Sequence, residues 1–217
     1  VSWCCGSTSA PPPSSRGETP VASTPEERFD VAIAAIDAAN ADDPNVIEVR
    51  GEVRPKELVH AELMTEWVTR LAPQASEAQR IAARAHHLRR WTLPRSEYPA
   101  GRAGYLRWRT ALKNRHATEV AAILVDAGYD EVTIETVQRI VRKQGLGTDP
   151  AVQVHEDALC LVFLETQLAS TADQLGQDHI VEVIRKTAAK MSPAGLAEVA
   201  AIPMRPGDRA LVERALS

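Results

Sequence analysis

Three ionisable residues fall on helical faces that are otherwise apolar. His60 lies with Leu63, Met64 and Trp67, His116 with Leu112, Val120, Ile123 and Ala127, and Asp157 with Cys160, Leu161 and Leu164. Burying a polar group without a partner costs a few kcal/mol, so each of the three needs one. His86 and His87 close another apolar segment, IAARAHHLRRW, at the point where it turns basic. Imidazoles and a carboxylate converging from separate helices could hold a divalent ion, and Zn, Mn, Mg and Fe are all compatible with such donors. The metal set expected on this reading is His60, His87, His116 and Asp157, with His86 able to stand in for its neighbour. Glu156, about 100° around the helix from Asp157, is the expected catalytic acid or base. No tight spacing such as HExxH fixes this geometry, and each residue taken singly also reads as a hydrogen-bonded core group.

The charge distribution supplies a second chemical signal. Between Gln79 and His116 stand ten Lys or Arg against the single acid Glu97, a local charge of +9. The whole chain has 25 basic and 29 acidic residues, so the remainder has 15 against 28, or −13. Such a block favours an anionic partner, either a small phosphorylated ligand or a nucleic acid. Arg89, Arg90, Arg95 and Arg109 are the expected phosphate clamps, because a guanidinium offers forked donors that match phosphate oxygens. Trp91, Tyr98, Tyr105 and Trp108 flank them and could stack a base, although aromatic residues at this spacing also serve as core packing. The opposing reading pairs these arginines with acids elsewhere in the fold.

The elements that must position these groups read as helices. Thr24-Pro25-Glu26-Glu27 is an N-terminal cap opening a helix with the apolar stripe Phe29, Ile33 and Ile36, and the pattern then predicts helices over about 55–71, 76–91, 101–127, 131–143, 149–169, 178–190 and 206–216. No sustained alternation of period two appears, so the expected fold is all-α, one multi-helix domain over 24–217. Residues 1–23, rich in Pro and Ser, are expected to form a disordered tail without the features of a secretory signal. The densest apolar run, Ala158 to Leu164, is far short of the roughly 18 residues of a membrane span. Three cysteines make no disulfide framework, so the chain is expected to be reduced and cytoplasmic, without a membrane partner.

Residues 55–165 carry a resemblance to the HD superfamily of metal-dependent phosphohydrolases. IAARAHHLRRW looks like its second element, HATEVAAILVDAGYDEVTIETVQRIVRKQ like the following helical pair, and HEDALCLVFLE like the late Asp helix. Leu88 stands where that signature has an Asp after the His, and Lys143 where some members have another His. A closer resemblance covers almost the whole folded chain. RFDVAIAAIDAANADDPN, AARAHHLRRWTLPRSEYP, AGYLRWR, EDALCLVFLE and IRKTAAKMS are similar to the bacterial and fungal family catalogued as domain of unknown function 4202. Some fungal relatives carry the label of a glutamyl-tRNA synthetase, but here only Lys190-Met191-Ser192 echoes such an enzyme.

These readings imply a metal-dependent phosphohydrolase acting on a nucleotide or small phosphorylated metabolite. The alternative is a non-catalytic HD-like module that binds a phosphorylated ligand or nucleic acid through the arginine-rich segment.

Overall fold

The computed structural model describes residues 24–217, so the tail expected over 1–23 lies outside the described residues. The fold is all-helical apart from one short hairpin. Helix α1 (Pro25–Ala41) starts with a complete capping box: the Thr24 hydroxyl accepts from the Glu27 amide at 3.2 Å, and the Glu27 carboxylate accepts from the Thr24 amide at 3.0 Å. The antiparallel strands β1 (Val46–Val49) and β2 (Glu52–Pro55) follow, a pair the helical pattern did not predict. Their two-residue loop, Arg50-Gly51, has φ of 55° and 84°, which is the left-handed backbone that suits a tight hairpin. The Arg-Gly step inside VIEVRGEVRP is the local signal for it.

The hairpin delivers the chain into α2 (Lys56–Leu71), whose exposed first amides need acceptors. Asp43 supplies one by accepting from the Glu57 amide at 3.0 Å, which also fixes where the Glu57 side chain starts. Helix α3 is capped by Ser76 and runs only over Glu77–Arg84, shorter than the expected 76–91. Tight turn bonds, such as Leu88 N to Ala85 O at 3.1 Å and Arg90 N to His87 O at 2.9 Å, replace the helical ladder. Arg89 takes a left-handed backbone, and its amide is held by Asn40 Oδ1 at 3.0 Å. The break aims His86 and His87 at different helices.

Helix α4 (Gly101–Asp126) is the long one, and α5 (Glu131–Arg142) packs back along it. Helix α6 (Pro150–Thr166) ends before the expected Ala169, and α7 (Leu168–Leu175) continues after a break. The chain closes with α8 (Gln177–Ala188), α9 (Pro193–Glu198) and α10 (Pro206–Leu216); the short α9 was not anticipated.

Two apolar cores result. One joins α2, the apolar run of α6, α8 and α10, with Met64, Leu161, Ile180 and Ile184 at its centre. The other joins α1, α3, α4 and α5 around Ile36, Ile81, Leu124 and Ile140. Helix α6 contributes to both, Val152 to the second and Ala158 onward to the first. Among the described residues, no helix is long and apolar enough to cross a membrane.

Candidate functional site

Glu57 and His60 are one helical turn apart on α2 and face the turn after α3, where His87 meets them. His60 Nδ1 lies 3.2 Å from His87 Nδ1, His87 Nδ1 3.2 Å from Glu57 Oε2, and His60 Nδ1 3.6 Å from Glu57 Oε2. Donors bound tetrahedrally at about 2.0–2.1 Å from a zinc-sized ion are themselves about 3.3–3.4 Å apart, so this triangle has the span of a metal face. Among the described residues, this is the His, Cys, Asp and Glu set whose donor atoms converge to within 4.8 Å.

Burial is the largest influence on the protonation of all three groups. Burial pushes the Glu57 carboxyl up to about 7, against the pull of the Arg90 and Lys56 charges. Burial, helped by the same two charges, drives the His60 imidazole down to about 3. His87 is held well below its ordinary range by burial, then by His86 and Arg90. Two uncharged imidazoles, each with one ring nitrogen able to act as a donor, beside the Glu57 carboxyl form a donor set suited to a divalent ion. His60 Nε2 lies 3.3 Å from the Thr166 hydroxyl, which gives its own proton to Val162 O at 2.7 Å, and 3.2 Å from Gln167 Nε2, which can only donate. The Gln167 contact puts the His60 proton on Nδ1, and the Thr166 contact puts it on Nε2, the tautomer that leaves Nδ1 free for an ion.

His87 also lines a cavity of about 220 Å³ between α4, the α3 turn, α5, α6 and the end of α8. Five cations face this space, Arg90, Arg109, Lys113, Lys143 and Lys190, and the one carboxylate among its lining residues is Glu156. Lys143 caps α5 with a left-handed backbone (φ 59°), a conformation that costs a lysine about 1–2 kcal/mol. That backbone carries its ammonium to Glu156 Oε2 at 2.5 Å, with Lys190 3.9 Å from Oε1. Burial lowers the pKa of Lys143, opposed by the Glu156 charge. His86 and His116 line the same cavity, and the Nε2 atoms of both are buried without a hydrogen-bond partner. His155, on α6, meets His86 Nδ1 through its Nε2 at 2.9 Å.

The expected site residues thus divide. His60 and His87 come together with Glu57, which the sequence reading passed over. Glu57-Leu-Val-His60 has the Glu-x-x-His spacing that puts a carboxylate and an imidazole on one helical face, and that signal was available. His116 lies across the cavity, its ring centroid 5.9 Å from that of His87. Asp157 was expected among the metal donors; instead, both its oxygens go to the start of α9. Oδ1 accepts from Ser192 N at 2.8 Å and Gln153 Nε2 at 2.9 Å, and Oδ2 from the Ser192 hydroxyl at 2.5 Å. Gly195 packs on it so closely that a Cβ there would lie 2.7 Å from Asp157 Cγ.

Of the expected phosphate clamps, Arg90 and Arg109 line the cavity. Arg89 is exposed beside the α3 turn, and Arg95 binds the carbonyls of Tyr98 at 2.7 Å and Pro99 at 2.8 Å, holding the proline turn that precedes α4. Glu156 lines the cavity, paired with Lys143. Lys113 and Lys190 were not singled out individually, because one cation in a basic run or helix end is indistinguishable from its solvated neighbours until the helices are placed.

Fold and site together define an all-helical protein whose buried histidine–glutamate cluster shares a residue with a cationic pocket. The chain belongs to the family described as Domain of unknown function (DUF4202), whose model matches residues 30–212. No curated protein and no solved structure matches it.

Proposed function

We propose that this protein is a metal-dependent phosphohydrolase of the cytoplasm, acting on a small phosphorylated metabolite or nucleotide through an arrangement similar to that of the HD superfamily. The observation that supports this reading is the double role of His87, which completes the Glu57–His60–His87 triangle and lines the pocket bearing five cations. Glu57, His60 and His87 would hold the ion, whose chemistry is to acidify a bound water and to polarise the phosphorus centre. Arg90, Arg109 and Lys113 engage the non-bridging oxygens of the substrate. Glu156, oriented by Lys143, accepts the proton of the attacking water.

A second reading has its own observation. Arginine only donates, so the 3.2 Å contact between Arg90 Nη1 and His87 Nε2 leaves the His87 proton on Nδ1, the nitrogen an ion would need. A protein that keeps this bond in all its states binds phosphorylated ligands without hydrolysing them.

The test is phosphate release from a panel of phosphomonoesters by EDTA-treated protein, with and without added Mn²⁺, Zn²⁺ or Mg²⁺. The expected result is ion-dependent release that falls by two orders of magnitude or more in His87→Ala and Glu57→Gln, with the helical circular dichroism preserved. Ligand binding with no release under any ion selects the binding module. Binding to long RNA that weakens steeply with salt, with no small-ligand binding, sinks both.

A further inference from the structure

We infer that the pocket is built for a compact anion bearing two phosphate groups, of the type of inorganic pyrophosphate, in preference to a single phosphate or a nucleotide. The inference rests on the pocket being the substrate site of the proposed phosphohydrolase.

Charge is the first argument. Five cations less the one carboxylate leaves a net +4 among the Lys, Arg and Glu side chains that line the cavity. One phosphate group carries about −1.5 to −2 near neutrality, so two are needed to balance it. The imbalance lies on one side. Lys143 and Lys190 share Glu156, whereas among the described residues Arg90, Arg109 and Lys113 have no carboxylate within ion-pair distance. Arg109 and Lys113 are one turn apart on α4, and like charges at that spacing repel unless an anion lies between them.

The second argument is unspent hydrogen bonding. His86 Nε2 and His116 Nε2 are buried without partners in residues that line the cavity, and a buried imidazole nitrogen left unpaired needs a ligand, water or ion to account for it. An anion held by the α4 cations lies in the cavity that these two residues line.

The third is size and the state of the aromatic rings. The cavity of about 220 Å³ is below the roughly 300–1,000 Å³ of sites that enclose drug-sized ligands. Two phosphate groups fit that space, and a base with its ribose would project out of it. Nor do the aromatic rings offer free platforms: the Arg90 guanidinium lies 4.9 Å from the Trp108 ring centre and that of Arg109 5.7 Å from the Tyr105 ring centre. The Trp108 ring is also pinned by its Nε1 bond to Leu93 O at 2.9 Å.

Calorimetric titration of the full chain in EDTA, at fixed ionic strength, with orthophosphate, pyrophosphate and adenosine monophosphate as probes tests the inference. Pyrophosphate should bind at least tenfold more tightly than either of the others. Arg109→Ala and Lys113→Ala, both at partly exposed positions that leave the core intact, should each weaken it about tenfold, the worth of one charge-assisted bond. Equal affinity for orthophosphate and pyrophosphate, tighter binding of the nucleotide, or no binding of any probe overturns the inference. Pyrophosphate binding without turnover under any divalent ion overturns the hydrolase reading alone. Hydrolysis of a phosphomonoester that excess pyrophosphate does not inhibit overturns this inference alone.

Discussion

At the scale of single residues, Arg90 and any ion at the triangle compete for the same imidazole. The guanidinium donates to His87 Nε2, which fixes the proton on Nδ1, and its charge also repels a cation held beside it. For Nδ1 to ligate an ion, the proton must leave it and Arg90 must turn away, as it does if a phosphate in the pocket takes the guanidinium. Arg90→Ala should therefore tighten Zn²⁺ binding several-fold in the absence of anion while weakening pyrophosphate binding, both measured by calorimetry. A variant that loses affinity for both ligands would show Arg90 to be a scaffold for the site. Cys160 is a simpler case on the same wall. Burial, then the Glu156 charge, pushes its thiol up to about 12, so the reactive thiolate is scarce at neutral pH. Alkylation mapped by mass spectrometry at pH 8 should modify Cys160 far more slowly in folded protein than after denaturation, and equal rates would contradict its burial.

At the scale of elements, Asp157 shows how an inward carboxylate can serve a helix end. It is the acceptor for Ser192 and Gln153 and lies under Gly195, joining α6 to the start of α9. Asp157→Ala should lower stability by about 3 kcal/mol, since a charged acceptor is lost and buried donors are stranded, while leaving Zn²⁺ affinity unchanged. Loss of ion binding in a variant that still folds would return Asp157 to the metal set. The sequence made its inward direction legible through Cys160, Leu161 and Leu164, but α9 was invisible, because SPAGLAE is too short to show a period. The long helices α1, α4 and α5 were legible because caps and stripes agree: Thr24 with Glu27 at α1, and Asp130 accepting from the Thr133 amide at 2.8 Å for α5. The break after Arg84 was not legible. Alanine-rich AARAHH has high helix propensity, and what overrides it is tertiary, the Asn40 bond to the Arg89 amide and the burial of two imidazoles in different directions. Two corners of the triangle, His60 and His87, were in the metal set expected from the sequence, and Glu57 was readable from its Glu-x-x-His spacing; what the sequence hid is the turned chain that brings His87 against Glu57.

At the scale of the whole molecule, the two apolar cores meet around histidines that burial keeps uncharged. Burial drives His60, His116 and His155 each to about 3 and holds His86 and His87 well below the ordinary imidazole range. His155 is enclosed on α6 against His86, with the Lys143 charge adding to the shift. The sign follows from proton counting. Below about pH 6.5 the unfolded chain protonates these imidazoles and the folded one does not until about pH 3, so their stability is present above pH 6.5 and is lost as pH falls through that window. Glu57 opposes this: its carboxyl, raised to about 7, costs stability as pH rises from about 4.5 to 7 and returns it on acidification, cancelling roughly one histidine. Each uncompensated proton contributes about 1.4 kcal/mol per pH unit. With two or more of them, a typical total of about 5–15 kcal/mol is exhausted within a few pH units. The metal-free protein should therefore unfold cooperatively above about pH 4, with uptake of at least two protons, when helical circular dichroism is followed during acidification. His155→Gln should move that midpoint to lower pH and reduce the uptake by about one proton. A helical signal and melting transition that persist unchanged to pH 3 would mean that the imidazoles are charged in the folded state, and the buried neutral cluster proposed as the base of the metal site would fail with them.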